Sequence, residues 1–231
     1  MATPPSAFHL DSVESTQDEA RRRFSGPAVL VTATRQTSGR GRSGAVWENA
    51  PRAVAASLAW EPDWPEAAVA RLGLVAGLAA ADLLGDAIGL KWPNDLMQGE
   101  AKVGGILMER FGAVVVAGLG VNLFWPHPRR GVGALHQRDP GPEVPRRLAE
   151  RWAAGLLERA AAGPDAWGRD EYAARCVTLG RDIVWEPDGR GRARAIAPGG
   201  GLVVVTAAGE VVIDSGAVQS IRAAGGESTP G

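Results

Sequence analysis

Apolar and polar positions change period several times along the chain, and the changes mark out elements. Residues 1–6 form a polar, proline-containing lead. Ser15-Thr16-Gln17-Asp18-Glu19 sets a capping hydroxyl ahead of acids, which predicts a helix running to about Phe24. Gly26-Pro27 breaks the pattern, and residues 28–34 and 53–60 then read as apolar strands. Residues 65–84 hold the longest helical pattern, opened by Pro65 and stopped by Gly85. A short strand is expected over 89–92, followed by a hairpin of 103–109 and 113–119 that turns at Phe111-Gly112. The Pro-, Gly- and Arg-rich stretch 126–145 reads as loop, and 143–162 and 165–174 read as helices. After Cys176 come short strands over 182–186, 191–197, 202–206 and 210–214, separated by glycine turns, the pattern of a small β-barrel. The expected organisation is a large domain over 1–176, a small β-barrel domain over 177–222 and a disordered tail over 223–231.

Composition narrows the class. A chain of 231 residues, 45% hydrophobic and 22% charged, can bury a sizeable core. Its net charge of -1 argues against attraction to nucleic acid by bulk charge, and no specific nucleic-acid partner is expected. No signal peptide opens the chain and no apolar run reaches the length of a span, so no membrane partner and a cytoplasmic location are expected. A lone Cys176 excludes an intramolecular disulfide and is read as packing, while His9, His127 and His136 are too scattered for a metal cluster.

Charge usage then points to chemistry. Only Lys91 and Lys102 are lysines; the other 23 of 25 basic residues are arginine. A compact ammonium differs from a planar guanidinium, so lysine is expected where arginine cannot serve. Both lysines flank Trp92-Pro93-Asn94-Asp95, and Gly104-Gly105 follows Lys102, as where a ligand lies against backbone. Asn94 and Asp95 read either as a turn between strands or as ligands for Mg²⁺ or a ribose. Gly39-Arg40-Gly41-Arg42-Ser43-Gly44 fits G-x-G-x-x-G, but Pro51 argues against the helix that a dinucleotide fingerprint needs. That loop reads either as a solvated basic turn or as a flexible cradle whose guanidiniums meet phosphate or carboxylate. Trp47 follows closely enough to cover a ligand. Gly118-Leu119-Gly120-Val121-Asn122 reads as a bulged strand or as one that offers Asn122 to a nucleotide.

In this order, Glu14-Ser15-Thr16, Gln36, GRGRSG at 39–44, KWPNDL at 91–96, KVGGILME at 102–109 and GLGVNL at 118–123 resemble the biotin–protein ligases. The likeness runs from about residue 9 to 222. It departs from the family at Gln17, where asparagine is common, and at Ala45, where a second arginine often stands. The resemblance implies an α+β fold: a mixed sheet with flanking helices, like the catalytic core of class II aminoacyl-tRNA synthetases and lipoate ligases, followed by a small SH3-like barrel. It implies that biotin and ATP, with Mg²⁺, form biotinyl-5′-AMP, and that a lysine of the biotin carboxyl carrier protein of acetyl-CoA carboxylase then takes the biotin. A homodimer is a further expectation.

In those roles Lys102, Arg40 and Arg42 would be catalytic, and Ser15, Thr16, Gln36, Gly39, Arg40, Lys102 and Gly105 would bind biotin. Arg42, Trp47, Lys91, Asn94, Asp95 and Asn122 would bind ATP, with Asp95 as the Mg²⁺ ligand. Because the Ser-Thr motif begins at residue 15, no N-terminal DNA-binding domain is expected. Two alternatives stay open: a lipoate or octanoate ligase of the same superfamily, and a non-catalytic biotin sensor.

Overall fold

A computed structural model describes residues 4–214 and the backbone of residues 221–223. Of the tail expected over 223–231, residues 224–231 lie outside the described residues. The larger sheet has seven strands: β1 (Ser6–Val13), β2 (Val29–Gln36), β3 (Arg52–Trp60), β4 (Ile88–Lys91), β5 (Asp95–Gln98), β6 (Ala101–Phe111) and β7 (Val114–Phe124). Their spatial order is β1-β2-β3-β7-β6-β5-β4. β1 and β2 are parallel, joined through helix α1 (Thr16–Arg23), and all other neighbours are antiparallel. This is the mixed sheet that the resemblance implies.

Two strands depart from the sequence reading. β1 begins at Ser6, the last residue of the polar lead, and runs over residues 7–13, for which the sequence predicts no element; its edge position leaves most of its residues exposed, which dilutes the apolar signal. β5 begins at Asp95, where a turn was one of the readings, and pairs with both β4 and β6.

Strand period two gives the sheet two unlike faces. One carries Val54, Ala56 and Leu58 of β3 beside Val121, Leu119 and Ala117 of β7, with Ile106 of β6, all buried in the main core. Helix α2 (Leu72–Leu84) and helix α3 (Glu143–Ala161) cover that face, α2 being preceded by a 3₁₀ segment Glu66–Arg71. Glu66–Leu84 is long and apolar enough to cross a membrane by length and composition alone, but Glu66, Arg71 and Asp82 interrupt it and 61% of its 18-residue apolar window is buried within the fold, as suits a core helix. The opposite face is lined in rows. Ala59, Val116 and Glu109 form one row; Ser57, Gly118 and Leu107 the next; Ala55, Gly120, Gly105 and Asp95 the third. Helix α1 packs over the first row through Ala20, and the rest stays open.

After helix α4 (Arg169–Arg175), strands β8 (Asp182–Trp185), β9 (Gly189–Ile196), β10 (Leu202–Thr206), β11 (Gly209–Ile213) and β12 (Ile221–Ala223) form an antiparallel sheet ordered β11-β10-β9-β8-β12. Ile183, Ala193, Ile196, Leu202, Val204 and Ile213 join the same apolar cluster as α2 and α3. Trp92 fastens the junction: its backbone N–H donates to Thr178 Oγ1 at 2.9 Å and its indole N–H to the Gly200 carbonyl at 3.0 Å.

Candidate active site

The open face of the large sheet floors a cavity of about 360 Å³. Glycine makes the floor. A Cβ at Gly120 would lie 2.7 Å from the Trp47 ring, so that strand position must lack a side chain, and one at Gly118 would lie 2.9 Å from Gln17 Oε1 and displace that amide. The rows place two chemically different ends side by side, one two-residue step (roughly 7 Å) apart along β7.

The end at the second row is neutral. Thr16 stands at the start of α1, where its N–H and Oγ1 donate to Gln36 Oε1 at 2.9 and 3.0 Å, and Oγ1 lies 2.8 Å from Ser57 Oγ. Asn49 fixes the end of β2 by donating to the Gln36 carbonyl at 2.7 Å. Gln17 completes this nook, 4% exposed, with Nε2 donating to Glu109 and to the Val116 carbonyl. Its Oε1 is buried and has no partner among the described residues.

The end at the third row is charged. Lys102 Nζ lies 2.6 Å from Asp95 Oδ1, with 40% and 20% of their side chains exposed. A bulge brings them together: the β5–β6 register shifts between Leu96 and Met97, so that Lys102 reaches the face that also carries Gly105. Asn94 is spent on structure. Its Nδ2 donates to the Ile106 carbonyl at 3.1 Å, and its Oδ1 accepts from Arg42 at 3.3 Å. Burial lowers the Arg42 pKa and the Asp95 carboxylate opposes that shift. Lys91, Gly105 and Asn122 also line this end. Asn122 donates to the Gly133 carbonyl at 3.0 Å, which leaves its buried Oδ1 without a partner among the described residues.

The glycine loop closes one side. Arg42–Gly44 is a single 3₁₀ turn with Ser43 at φ 53, a conformation costly for serine, and Arg40 bridges to Val46. Arg40 donates to Asp18 at 2.8 Å and to Glu109 at 3.0 Å, so in this structure its guanidinium ties the loop to α1 and β6.

Two expected ligand contacts do not line the cavity. Ser15 is buried at the N-cap of α1, where its side chain makes no capping bond and its Oγ has no partner among the described residues. Gly39 lies under Trp47, whose backbone N–H donates to its carbonyl at 2.9 Å; its bare Cα serves that close approach. Thr16, Gln36, Arg40, Arg42, Trp47, Lys91, Asn94, Asp95, Lys102, Gly105 and Asn122 all line it. Sequence reasoning missed Ser57, whose signal was a lone hydroxyl in an apolar strand, and gave Gln17 no role. Residues 126–142 are loop, as expected, but Arg129 and Val132 in it, with Trp125 just before it, form a wall of the cavity. The Lys102–Val132 and Phe124–His136 bridges hold that wall, and no local apolar period announces it.

Sheet and cavity together define a site that can grip a neutral hydrogen-bonding group at one end and gather anions at the other. Residues 10–123 match the Biotin/lipoate A/B protein ligase family. A biotin--[acetyl-CoA-carboxylase] ligase of Mycobacterium tuberculosis is 33% identical over 213 residues, 84% of this chain and 79% of that protein. One of Paracoccus denitrificans is 38% identical over 127 residues, which span 49% of this chain and only 53% of the relative. The biotin protein ligase of Aquifex aeolicus, solved with biotin and ATP, shares the fold with a TM-score of 0.75 at 23% identity, over 95% of this chain and 99% of that one. That of Leishmania major, solved with biotinyl-5-AMP, gives 0.66 at 26% identity, over 92% and 99%. The chain belongs to the Biotin/lipoate A/B protein ligase family.

Proposed function

We propose that this protein activates biotin with ATP to biotinyl-5′-AMP and passes the biotin to a lysine of a biotin carboxyl carrier protein of acetyl-CoA carboxylase. The observation that carries the reading is the two-ended cavity: the neutral nook of Thr16, Gln17, Gln36 and Ser57 beside the cationic end at Lys102. A ureido ring carries a carbonyl and two N–H groups and no charge, which suits buried neutral partners. A fatty chain needs an apolar tunnel instead, so the nook favours biotin over lipoate or octanoate.

In the first step a biotin carboxylate oxygen attacks the α-phosphorus of ATP, and the bond to the β-phosphate oxygen breaks to release pyrophosphate. Lining the cavity, Lys102 would stabilise charge between carboxylate and α-phosphate, Arg42 and Lys91 would hold phosphates, and Trp47 would exclude water. In the second step the carrier's lysine amine attacks the acyl carbon, losing a proton as AMP leaves. Gly105 gives the acyl phosphate room to lie against β6.

Among the described residues no three His, Cys, Asp or Glu side chains gather as a metal cage. Mg²⁺ commonly takes one or two carboxylates and relies on phosphates and water for the rest, so Asp95 fits as a protein ligand. Bound there, Mg²⁺ would offset phosphate charge. We read the five-stranded second sheet as the SH3-like barrel of this family and the protein as cytoplasmic.

Exchange of labelled pyrophosphate into ATP tests the reading. Exchange is expected with biotin and not with lipoate or octanoate, followed by label transfer from biotin to a carrier domain. Exchange driven by lipoate would assign the rival activity, and biotin binding without exchange would make the protein a sensor.

A further inference from the structure

We infer that Glu109, a residue outside the cavity lining, is a positioning residue that couples ligand in the neutral nook to closure of the glycine loop. The inference rests on the reading of that nook as the seat of the biotin ring. One oxygen carries the coupling. Glu109 Oε2 accepts from Gln17 Nε2 at 3.0 Å and from Arg40 Nη2 at 3.0 Å.

The Gln17 side of the node is fixed in orientation. Both partners of Nε2, Glu109 Oε2 and the Val116 carbonyl, can only accept, so the amide must turn its NH₂ toward them. Oε1 is thereby left over Gly118 as a buried acceptor without a donor among the described residues. A ring N–H of the ligand is the group that completes it.

The Arg40 side is the latch. Its guanidinium leaves the glycine loop and is pinned between Asp18 on α1 and Glu109 on β6. Glu109 stands in the row next to Ser57 and Gly118, and the Lys102–Asp95 end lies a row beyond those. A ligand that holds Gln17 therefore holds the carboxylate where Arg40 needs it, and a closed loop holds Gln17 where the ligand needs it. Coupling of this kind is reciprocal. It acts first on the ring end and reaches the nucleotide end only through Arg42, which the same loop carries to Asn94.

The test compares the full chain with Glu109→Gln, which keeps the shape and an acceptor but loses the charge, and with Glu109→Asp, which keeps the charge. Two readouts are taken: KM for biotin and for ATP in pyrophosphate exchange, and tryptic cleavage at Arg40 and Arg42 with and without biotin. In Glu109→Gln the KM for biotin should rise about tenfold, as for loss of a charge-assisted hydrogen bond. Its KM for ATP should rise clearly less than its KM for biotin, since Arg42 keeps its bond to Asn94, and biotin should no longer slow cleavage of the loop. Glu109→Asp should recover part of the protection. Equal rises in both KM values would make Glu109 a general scaffold and overturn the inference. So would a Glu109→Gln chain that biotin protects as well as wild type. A wild-type chain that biotin neither protects nor activates would overturn the functional reading itself, a different result from either.

Discussion

Lys102 reaches Asp95 at 2.6 Å, with two-fifths of its side chain still exposed toward the cavity, so the ammonium is held in place without being sealed off. An exposed pair of this kind adds little to stability. On the proposed function its value lies in the position of a point charge. A guanidinium in its place would be wider and would push apart the carboxylate and phosphate that the proposed reaction brings together. Lys102→Arg should therefore lower the rate of adenylate formation by about 10²–10³, the usual cost of losing one such stabiliser. The melting temperature should move by no more than about 2 °C, since the pair is exposed. Single-turnover adenylate formation beside a melting curve reads both; a rate within about threefold of wild type would take Lys102 out of the chemistry. The choice of lysine was legible in the sequence because the chain otherwise uses arginine. The exclusion of Ser15 from the cavity was not legible. Adjacent hydroxyls at a helix start look alike in sequence, and only the turn of α1 decides that Thr16 bonds Gln36 while Ser15 Oγ is buried without a partner among the described residues.

At the scale of elements, the glycine loop and β7 meet through one ring. Trp47 lies flat enough on Gly120 that an added Cβ would fall 2.7, 2.8 and 2.9 Å from three of its ring atoms. Gly120→Ala should displace the ring and prop the loop open, leaving the strand itself intact. Biotin-dependent exchange should fall on the order of tenfold, consistent with an overpacking cost of about 1–3 kcal/mol. Tryptic cleavage at Arg42 should quicken, and an unchanged cleavage rate would show that Trp47 does not hold the loop.

Helix α1 carries a separate, pH-dependent element of stability. Hydrogen bonds from Arg22, with help from Arg23 and against burial, lower the Glu19 pKa from 4.5 to about 2. The folded pKa lies below the unfolded one, so this contribution is fully present above about 4.5 and is lost as pH falls through about 2. Urea unfolding of wild type and Glu19→Gln should differ at pH 6 and converge between pH 4 and 2; a difference that persists at pH 2 would remove Glu19 as the cause. Of these elements the hairpin and α2 were legible because their periods are long and unbroken. β1, a parallel edge strand with mostly exposed residues, and the wall at Trp125, Arg129 and Val132, held by backbone bridges to Lys102 and Phe124, take their form from tertiary contacts that no local period records.

For the whole molecule, the question is whether the second sheet is a separable unit. Its sequence signature, short strands between glycine turns, suggests a module that could be removed. Its packing argues otherwise. Trp92, 1% exposed, gives its backbone N–H to Thr178 and its indole N–H to Gly200, and Leu90 bridges to Cys176. Trp167 likewise donates to the Pro198 carbonyl at 3.0 Å. Six residues of the second sheet share one apolar cluster with α2 and α3. Stripping this cover would return the Trp92 ring to water at about 25 cal/mol per Å² over roughly 150–250 Å², or about 4–6 kcal/mol from that side chain alone. Whole-domain stability is commonly only about 5–15 kcal/mol. A fragment of residues 1–176 should therefore lack a cooperative thermal transition and show the solvent-exposed tryptophan emission of an unpacked core. The loss should strike the nucleotide end of the site first, since Trp92 is the anchor from which Pro93, Asn94 and Asp95 project. Thr178→Ala in the full chain separates this from mere loss of mass. It removes one hydrogen bond to Trp92, worth about 0.5–1.5 kcal/mol, and leaves the cover in place. That variant should fold, with KM for ATP raised and KM for biotin unchanged. A 1–176 fragment that melts cooperatively within a few degrees of the full chain would make the second sheet an appendage, and the Trp92 junction would lose its part in shaping the site.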